Sequence, residues 1–185
     1  MLSRRNLIRS SLAVCAGTTL AASARAATDP KTSEGGVHDV VILGAGVGGL
    51  VCAIEARALG LDGVVLEKME CPSGNSLYAS GGVAACETAQ QKAEGHDEPK
   101  EAFRADMMKI SQNLADPALV DAYVEHIAED IEWLKGLGVE FAKIARKPWP
   151  INWRMHNVDG KGLTGGARFV RTLEEVCRKR GIPIH

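Results

Sequence analysis

The residues best suited to chemistry form a glycine-rich segment, G-A-G-V-G-G, at positions 44–49. The spacing of its glycines suits a tight turn at Gly44, close approach of a pyrophosphate at Gly46, and packing of a helix on a strand at Gly49. Free amides at the start of a helix attract phosphate groups. The segment therefore predicts a dinucleotide-binding loop made of Gly44, Ala45, Gly46, Val47, Gly48 and Gly49.

The elements around this loop must place it at the end of a buried strand. Residues 40–43 form a short apolar run that predicts such a strand, and Leu50 and Ile54 follow at helical spacing. Residues 64–66 form a second apolar run. Strand, glycine turn, helix and strand in this order indicate a βαβ unit with parallel strands. The fold class expected is α/β, a Rossmann-like domain with a parallel sheet.

An acidic residue and a second glycine segment narrow the choice of dinucleotide. Glu67 ends the second strand, where a carboxylate can accept hydrogen bonds from ribose hydroxyls. The stretch C-P-S-G-N-S-L-Y-A-S-G-G-V follows at positions 71–83. An NAD-binding domain has no need for such a loop, whereas a flavin ring needs close backbone and short polar side chains such as Ser76 and Ser80. We therefore expect FAD, with NAD as the alternative.

The second segment resembles a known family. Positions 73–82 match the pattern G-G-N-[ST]-x-x-A-x-G-G, with Ser73 in place of the first glycine. This pattern is similar to that of the soluble fumarate reductases and their relatives, which are FAD-dependent oxidoreductases homologous to the succinate dehydrogenase flavoprotein. The resemblance implies that Glu67 binds the adenosine ribose and that residues 80–82 contact the isoalloxazine. The cofactor-binding residues expected in this region are Glu67, Lys68, Gly74, Asn75, Ser76, Ala79, Ser80, Gly81 and Gly82.

Further expectations follow from the resemblance. Membrane-bound relatives attach FAD through a histidine at the position of Asn75, so the resemblance implies non-covalent FAD here. It also implies hydride transfer from the flavin to a polarised C=C bond of an unsaturated acid or a related enone, with an unknown electron donor. No catalytic residue of the family has a match in this chain, whose FAD-binding domain is expected to lack its capping domain and its C-terminal part. A non-catalytic remnant, or a flavin-binding half that needs a partner chain, stays open.

The first 26 residues are typical of a twin-arginine signal peptide. Arg4 and Arg5 precede a mildly apolar stretch at positions 12–22, and Ala24-Arg25-Ala26 offers a signal-peptidase site. This stretch is too short for a stable membrane span. Export to the periplasm, or outside the cytoplasmic membrane, is therefore expected, with an ordinary Sec signal or a plain tail as alternatives. Residues 27–37 form a linker, and residues 38–185 the N-terminal part of the FAD-binding domain.

Downstream of the glycine segments the pattern is mostly helical. Asp116-Pro117 is typical of a helix start, and a further helix is expected at 167–180, followed by a strand at 182–185. Residues 147–156, rich in Trp and Pro, predict an irregular loop. Its Arg154 and His156 either line the cofactor or substrate cavity or serve the structure of the loop.

Composition and spacing exclude other classes of function. The net charge of −1 and the absence of a basic stripe give a nucleic-acid partner no support. No Cys-x-x-Cys motif and no pair of histidines at metal-ligand spacing occurs, so no metal is expected. The mature chain has four cysteines, Cys52, Cys71, Cys86 and Cys177, and they are expected to remain unpaired thiols.

Overall fold

The computed structural model of the chain describes residues 36–148 and 151–185. The signal peptide predicted at 1–26 and most of the predicted linker lie outside the described residues. A βαβ unit opens the described part: strand β1 (Val40–Leu43), helix α1 (Val47–Ala58) and strand β2 (Gly63–Leu66). The two strands pair in parallel, with Val40 opposite Gly63. The predicted strands, helix and parallel pairing are confirmed.

The last residues of the chain extend this parallel sheet, as predicted for 182–185. Ile184 forms a parallel bridge with Val65. The Val65 amide donates to the Pro183 carbonyl at 3.0 Å, and the His185 amide donates to the Val65 carbonyl at 2.9 Å. The final segment therefore lies beside β2 and is joined to it by one parallel bridge.

The remaining elements lie between β2 and this final segment. They are the helices and strands α2 (Asn75–Tyr78), β3 (Gly82–Ala84), α3 (Ala89–Ala93), α4 (Lys100–Ile110), α5 (Pro117–Gly136), β4 (Ala145–Pro148), β5 (Ile151–Asn157) and α6 (Gly165–Lys179). Helix α5 begins as the sequence predicts, because the Asp116 carboxylate accepts from the Ala118 amide at 2.9 Å and Pro117 occupies the first turn. Helix α6 begins two residues earlier than predicted, since Thr164 caps it by accepting from the Ala167 amide.

The irregular loop predicted at 147–156 is wrong. Most of this stretch belongs to β4 and β5, which form an antiparallel sheet in the order β3-β5-β4. Strand β5 was not predicted because its sequence shows no alternation of apolar and polar residues. One of its faces buries Arg154 and His156 rather than apolar side chains. Partners from other elements make this burial possible.

Two apolar cores hold the sheets to the helices. The first joins the parallel sheet to α1 and α6, with Leu50, Ile54 and Leu173 fully buried at its centre. The second packs α4 and α5 against the antiparallel sheet around Phe103 and Ile131. Fully burying a side chain of this size contributes about 1.5–3 kcal/mol. The first core also fixes the start of α1 relative to the start of α6, and the candidate site lies between these two helix ends.

Candidate functional site

The predicted dinucleotide loop connects β1 to α1 through backbone that requires glycine. Gly44 has a φ of 97°, and its amide donates to the Leu66 carbonyl at 2.7 Å. A Cβ on Gly49 would lie 1.9 Å from the Gly44 carbonyl oxygen. These two glycines therefore allow the turn and the close contact between helix and loop that the sequence predicts. Gly46 is the N-cap of α1, so the first amides of the helix open onto the loop.

Glu67 ties the end of β2 to this loop. One carboxylate oxygen accepts from the Ala45 amide at 2.7 Å, and the other accepts from the Met69 amide at 3.1 Å. These hydrogen bonds, that of Ala45 first, hold the pKa of Glu67 below its usual value. Each carboxylate oxygen can accept more than one hydrogen bond, so the ionised group keeps capacity for a ligand hydroxyl. The neighbouring Lys68 is exposed.

The second glycine segment lies against the first. The Ser76 hydroxyl accepts from the Val47 amide at 3.2 Å, and its oxygen lies 3.3 Å from where a Cβ on Gly46 would be. Ser76 therefore links α2 to the first turn of α1. Gly74, with a φ of 73°, caps α2, and Asn75 beside it is exposed.

The N-terminus of α6 supports this second segment, and its only signal in the sequence is a threonine before two glycines. The Thr164 hydroxyl donates to the Leu77 carbonyl, and the Gly166 amide donates to the Ala79 carbonyl, both at 3.0 Å. A Cβ on Gly165 would lie 2.1 Å from the Ser80 carbonyl oxygen. Only glycine allows α6 to approach the segment this closely.

Gly81 and Gly82 lead from the segment into β3. The Val158 amide donates to the Gly81 carbonyl at 3.0 Å, whereas the next pair, Gly82 and Asn157, does not exchange backbone hydrogen bonds in this register. The Gly82 N–H therefore points away from β5, toward the open edge of the sheet, where an acceptor on a ligand can reach it.

A cleft of about 200 Å³ opens where these segments meet. Six residues from the two predicted glycine segments line it, together with Gly166 and Phe169 from α6, which sequence reasoning missed. The lining consists of Val47, Ser76, Ala79, Ser80, Gly81, Gly82, Gly166 and Phe169. Exposed backbone, two hydroxyls and one aromatic ring are groups that fit a flat, polar-edged ring. The open helix start and Glu67 beside it fit the phosphate and ribose parts of a dinucleotide.

Arg154 and His156 lie outside this cleft and stabilise the fold. The Arg154 guanidinium forms an ion pair with Glu98, contacts Asp106 at 2.7 Å and lies over the Phe103 ring at 4.6 Å from its centroid. Burial raises the pKa of Glu98, although Arg154 opposes this shift. The guanidinium is thus enclosed by acidic and aromatic partners, which fits a structural role.

His156 is fully buried, and both of its ring nitrogens have partners. Its Nδ1 donates to the Arg154 carbonyl at 3.1 Å, and its Nε2 forms a hydrogen bond of 2.9 Å with the Thr88 hydroxyl. Burial is the main cause that lowers the pKa of His156. Thr88 also caps α3 in a capping box with Gln91. His156 therefore joins β5 to α3, and these contacts favour the structural interpretation of the Arg-x-His sequence.

The histidines, cysteines and carboxylates in the part of the chain that the structure describes form no group of three or more that could hold a metal ion. All four cysteines in this part are free thiols, with Cys86 and Cys177 buried. Burial raises the pKa of both buried thiols to about 11. No helix among residues 36–148 and 151–185 has the length and apolar composition of a membrane span.

Known proteins resemble this chain in sequence. Fumarate reductase (cytochrome) of Shewanella frigidimarina is 33% identical over 146 residues, which cover 79% of this chain and 25% of the relative. The acrylate reductase flavoprotein subunit of Shewanella woodyi is 32% identical over an alignment that covers 100% of this chain and 37% of the relative. The chain thus spans a quarter to about a third of the length of these relatives.

Solved structures agree with the sequence comparison. A flavocytochrome c3 fumarate reductase in its open conformation superposes with a TM-score of 0.74 and 29% identity, over 80% of this chain and 26% of that one. A 3-ketosteroid-Δ4-(5α)-dehydrogenase from Rhodococcus jostii gives the same TM-score at 26% identity, over 80% of this chain and 37% of that one. The family described as FAD binding domain matches residues 39–184. The chain therefore belongs to the FAD binding domain family, and FAD is the cofactor of its fold.

Proposed function

We propose that this chain binds FAD non-covalently and forms the cofactor-binding part of an exported oxidoreductase that reduces the C=C bond of an unsaturated acid. The observation that carries this proposal is the cleft in which both glycine segments meet the start of α6. Two loops and the start of a helix that is distant in sequence thereby converge on one space, with the first amides of α1 at one end and a ring-sized opening at the other.

Each end of the site has a proposed partner in FAD. The amides at the start of α1, around Gly46, bind the diphosphate, and Glu67 accepts from the adenosine ribose. Asn75 and Ser76 bind the phosphate-ribityl region. Residues 80–82 lie against the isoalloxazine, where short side chains leave the ring room. Asn75 has no imidazole to form a covalent link, which supports non-covalent binding.

The activity of the whole protein is proposed from its relatives. They include a fumarate reductase and an acrylate reductase flavoprotein subunit, and both fumarate and acrylate are unsaturated acids. FAD, when bound, supplies hydride-transfer chemistry. The residues of the cleft hold and orient the cofactor. None of them is assigned a role in binding the substrate or in donating a proton. The electron donor and the particular acid are open.

An FAD titration of the purified chain tests the cofactor and its mode of binding. We expect one FAD per chain, with a visible flavin spectrum, and complete release of the flavin into solution after acid precipitation. Glu67→Gln is expected to weaken binding, while Glu129→Gln, on exposed helix surface, leaves it unchanged. NAD binding without bound flavin, or flavin that stays with the precipitated protein, would contradict the proposal.

Export by the twin-arginine pathway is proposed from the N-terminal sequence. Arg4 and Arg5 precede the apolar stretch, and the acrylate reductase alignment extends over this whole chain. Residues 1–35 fused to a folded reporter are expected to direct it out of the cytoplasm. Replacing both arginines by lysine should retain the reporter inside, because lysine keeps the charge but not the recognised pair. Unchanged export of the lysine variant would favour a Sec signal.

A further inference from the structure

Two polar side chains from distant parts of the sequence converge beside Gly82. A Cβ on Gly82 would lie 2.9 Å from the Asn157 Oδ1 and 3.8 Å from the Ser80 Oγ. The amide and the hydroxyl therefore flank the same small space at the edge of the cleft. Sequence reasoning selected Ser80 but not Asn157, which follows directly on the stretch predicted as an irregular loop.

Neither side chain has a hydrogen-bond partner within residues 36–148 and 151–185. The side-chain hydrogen bonds of β5 involve Asn152, Arg154 and His156, and none involves Asn157. Asn157 is half-buried and Ser80 is exposed. Ser80 lines the cleft and Asn157 lies beside the lining residue Gly82, so both side chains have hydrogen-bonding capacity left for a ligand at this edge.

On this face of the antiparallel sheet, the residues of β3 have small side chains or none. Gly82 and Ala84 alternate there, opposite Asn157 and Met155. Residues two apart on a strand share a face, so the long side chains of Met155 and Asn157 lie over the small residues of β3. The Met155 Cε and the Asn157 Oδ1 occupy the place that a side chain at position 82 would need. Gly82 therefore lets the Asn157 amide lie directly against a residue that lines the cleft.

We propose that Asn157, together with Ser80, binds the pyrimidine edge of the flavin; this rests on the FAD binding proposed above. That edge alternates carbonyl oxygens with one ring N–H. A side-chain amide is its complement, because Oδ1 accepts from the ring N–H while Nδ2 donates to a neighbouring carbonyl. The Ser80 hydroxyl donates to the same edge. Asn157 is thus a cofactor-binding residue that favours a ring with an N–H donor on its pyrimidine edge.

A substrate carboxylate fits this place less well. The Asn157 side chain offers both an acceptor oxygen and N–H donors beside Gly82. A carboxylate carries only acceptors, so it would use the N–H donors and leave the amide oxygen without a partner. The ring N–H of the flavin supplies the donor that this arrangement requires.

Parallel titrations with FAD and with an FAD analogue methylated on the pyrimidine N–H test the proposal. The purified chain should bind FAD about three- to tenfold more tightly than the analogue, the range expected for one lost hydrogen bond. Asn157→Leu, which keeps the volume of the side chain, should weaken FAD binding by a similar factor and bind both flavins equally. Ser80→Ala should weaken the binding of both. Asn152→Leu, on the same strand but away from the cleft, serves as the matched control and should keep the preference.

The outcomes separate this inference from the function on which it rests. Failure of the unaltered chain to bind FAD would overturn both. Tight FAD binding by a folded Asn157→Leu variant, or a preference for FAD that survives this substitution, would overturn the assignment of Asn157 alone. Unchanged flavin affinity combined with weaker binding of fumarate to the loaded chain would assign Asn157 to the substrate instead, and would also overturn the inference.

Discussion

Gly166 offers the sharpest test of how α6 supports the candidate site. It lies in the first turn of the helix, and its amide donates to the Ala79 carbonyl at 3.0 Å. A Cβ at this position would lie 2.2 Å from the Ser76 carbonyl oxygen and 2.4 Å from that of Ala79. Both neighbours are backbone atoms, so neither can rotate away. In Gly166→Ala the helix and the second glycine segment must move apart.

The magnitude follows from opposing contributions. Overpacking of this kind costs about 1–3 kcal/mol. The hydrogen bond to Ala79, if it is lost, costs about 1 kcal/mol more. Alanine offsets about 1 kcal/mol because it favours helix more than glycine does. The net loss of unfolding free energy is therefore about 1–3 kcal/mol. FAD affinity should fall by about tenfold, since the displaced segment supplies five of the eight residues that line the cleft.

Urea denaturation and FAD titration of Gly166→Ala measure these two effects. Gly136→Ala is the matched control, because Gly136 is also helical and a Cβ there would have no atom within 4 Å beyond its own helix backbone and chain neighbours. The control should be neutral or more stable by up to about 1 kcal/mol. If both variants show the same stability and the same FAD affinity, the close approach of α6 does not hold the segment, and the reasoning is refuted.

Two further predictions concern charged groups. Because the pKa of Glu67 is lower in the folded chain than in the unfolded one, its ionised form stabilises the fold above the unfolded pKa, and this contribution is lost as pH falls through the folded pKa. Glu67→Gln should therefore flatten the decline of the urea midpoint on the acid side, and an unchanged decline would contradict the role of its bonds to Ala45 and Met69. Arg154→Leu leaves Glu98 buried without its partner and should cost about 3–5 kcal/mol of unfolding free energy. Adding Glu98→Leu should restore part of this loss, and a further loss in the double variant would count against the pairing.

The βαβ unit was predictable because its signals are local. A buried parallel strand is a continuous apolar run, a helix repeats its apolar residues every three to four positions, and a turn with positive φ selects glycine. Residues 40–66 carry all three signals, and the structure confirms each of them. The start of α5 was predictable from Asp116 and Pro117 because a helix cap is also a local signal, a contact between near neighbours in sequence.

The antiparallel sheet was not predictable in this way, because its strands are stabilised from outside. Arg154 can turn inward on β5 only because Glu98 and Asp106, from other elements, neutralise it there. His156 can be buried only because Thr88 and a backbone carbonyl satisfy both its nitrogens. Such partners lie far away in sequence, so a buried strand looked like a polar loop.

The class of ligand was predictable from the chain alone, because the glycines, Glu67 and the second segment each serve a contact that demands their residue type. The position of these residues near a strand end and a helix start was predictable for the same reason. The groups that complete the site became visible in the folded chain: the start of α6 at Gly166, the ring of Phe169, and the Asn157 amide beside Gly82. The physical reason is that close approach between distant segments depends on how the cores pack, and packing leaves no period or motif in the chain.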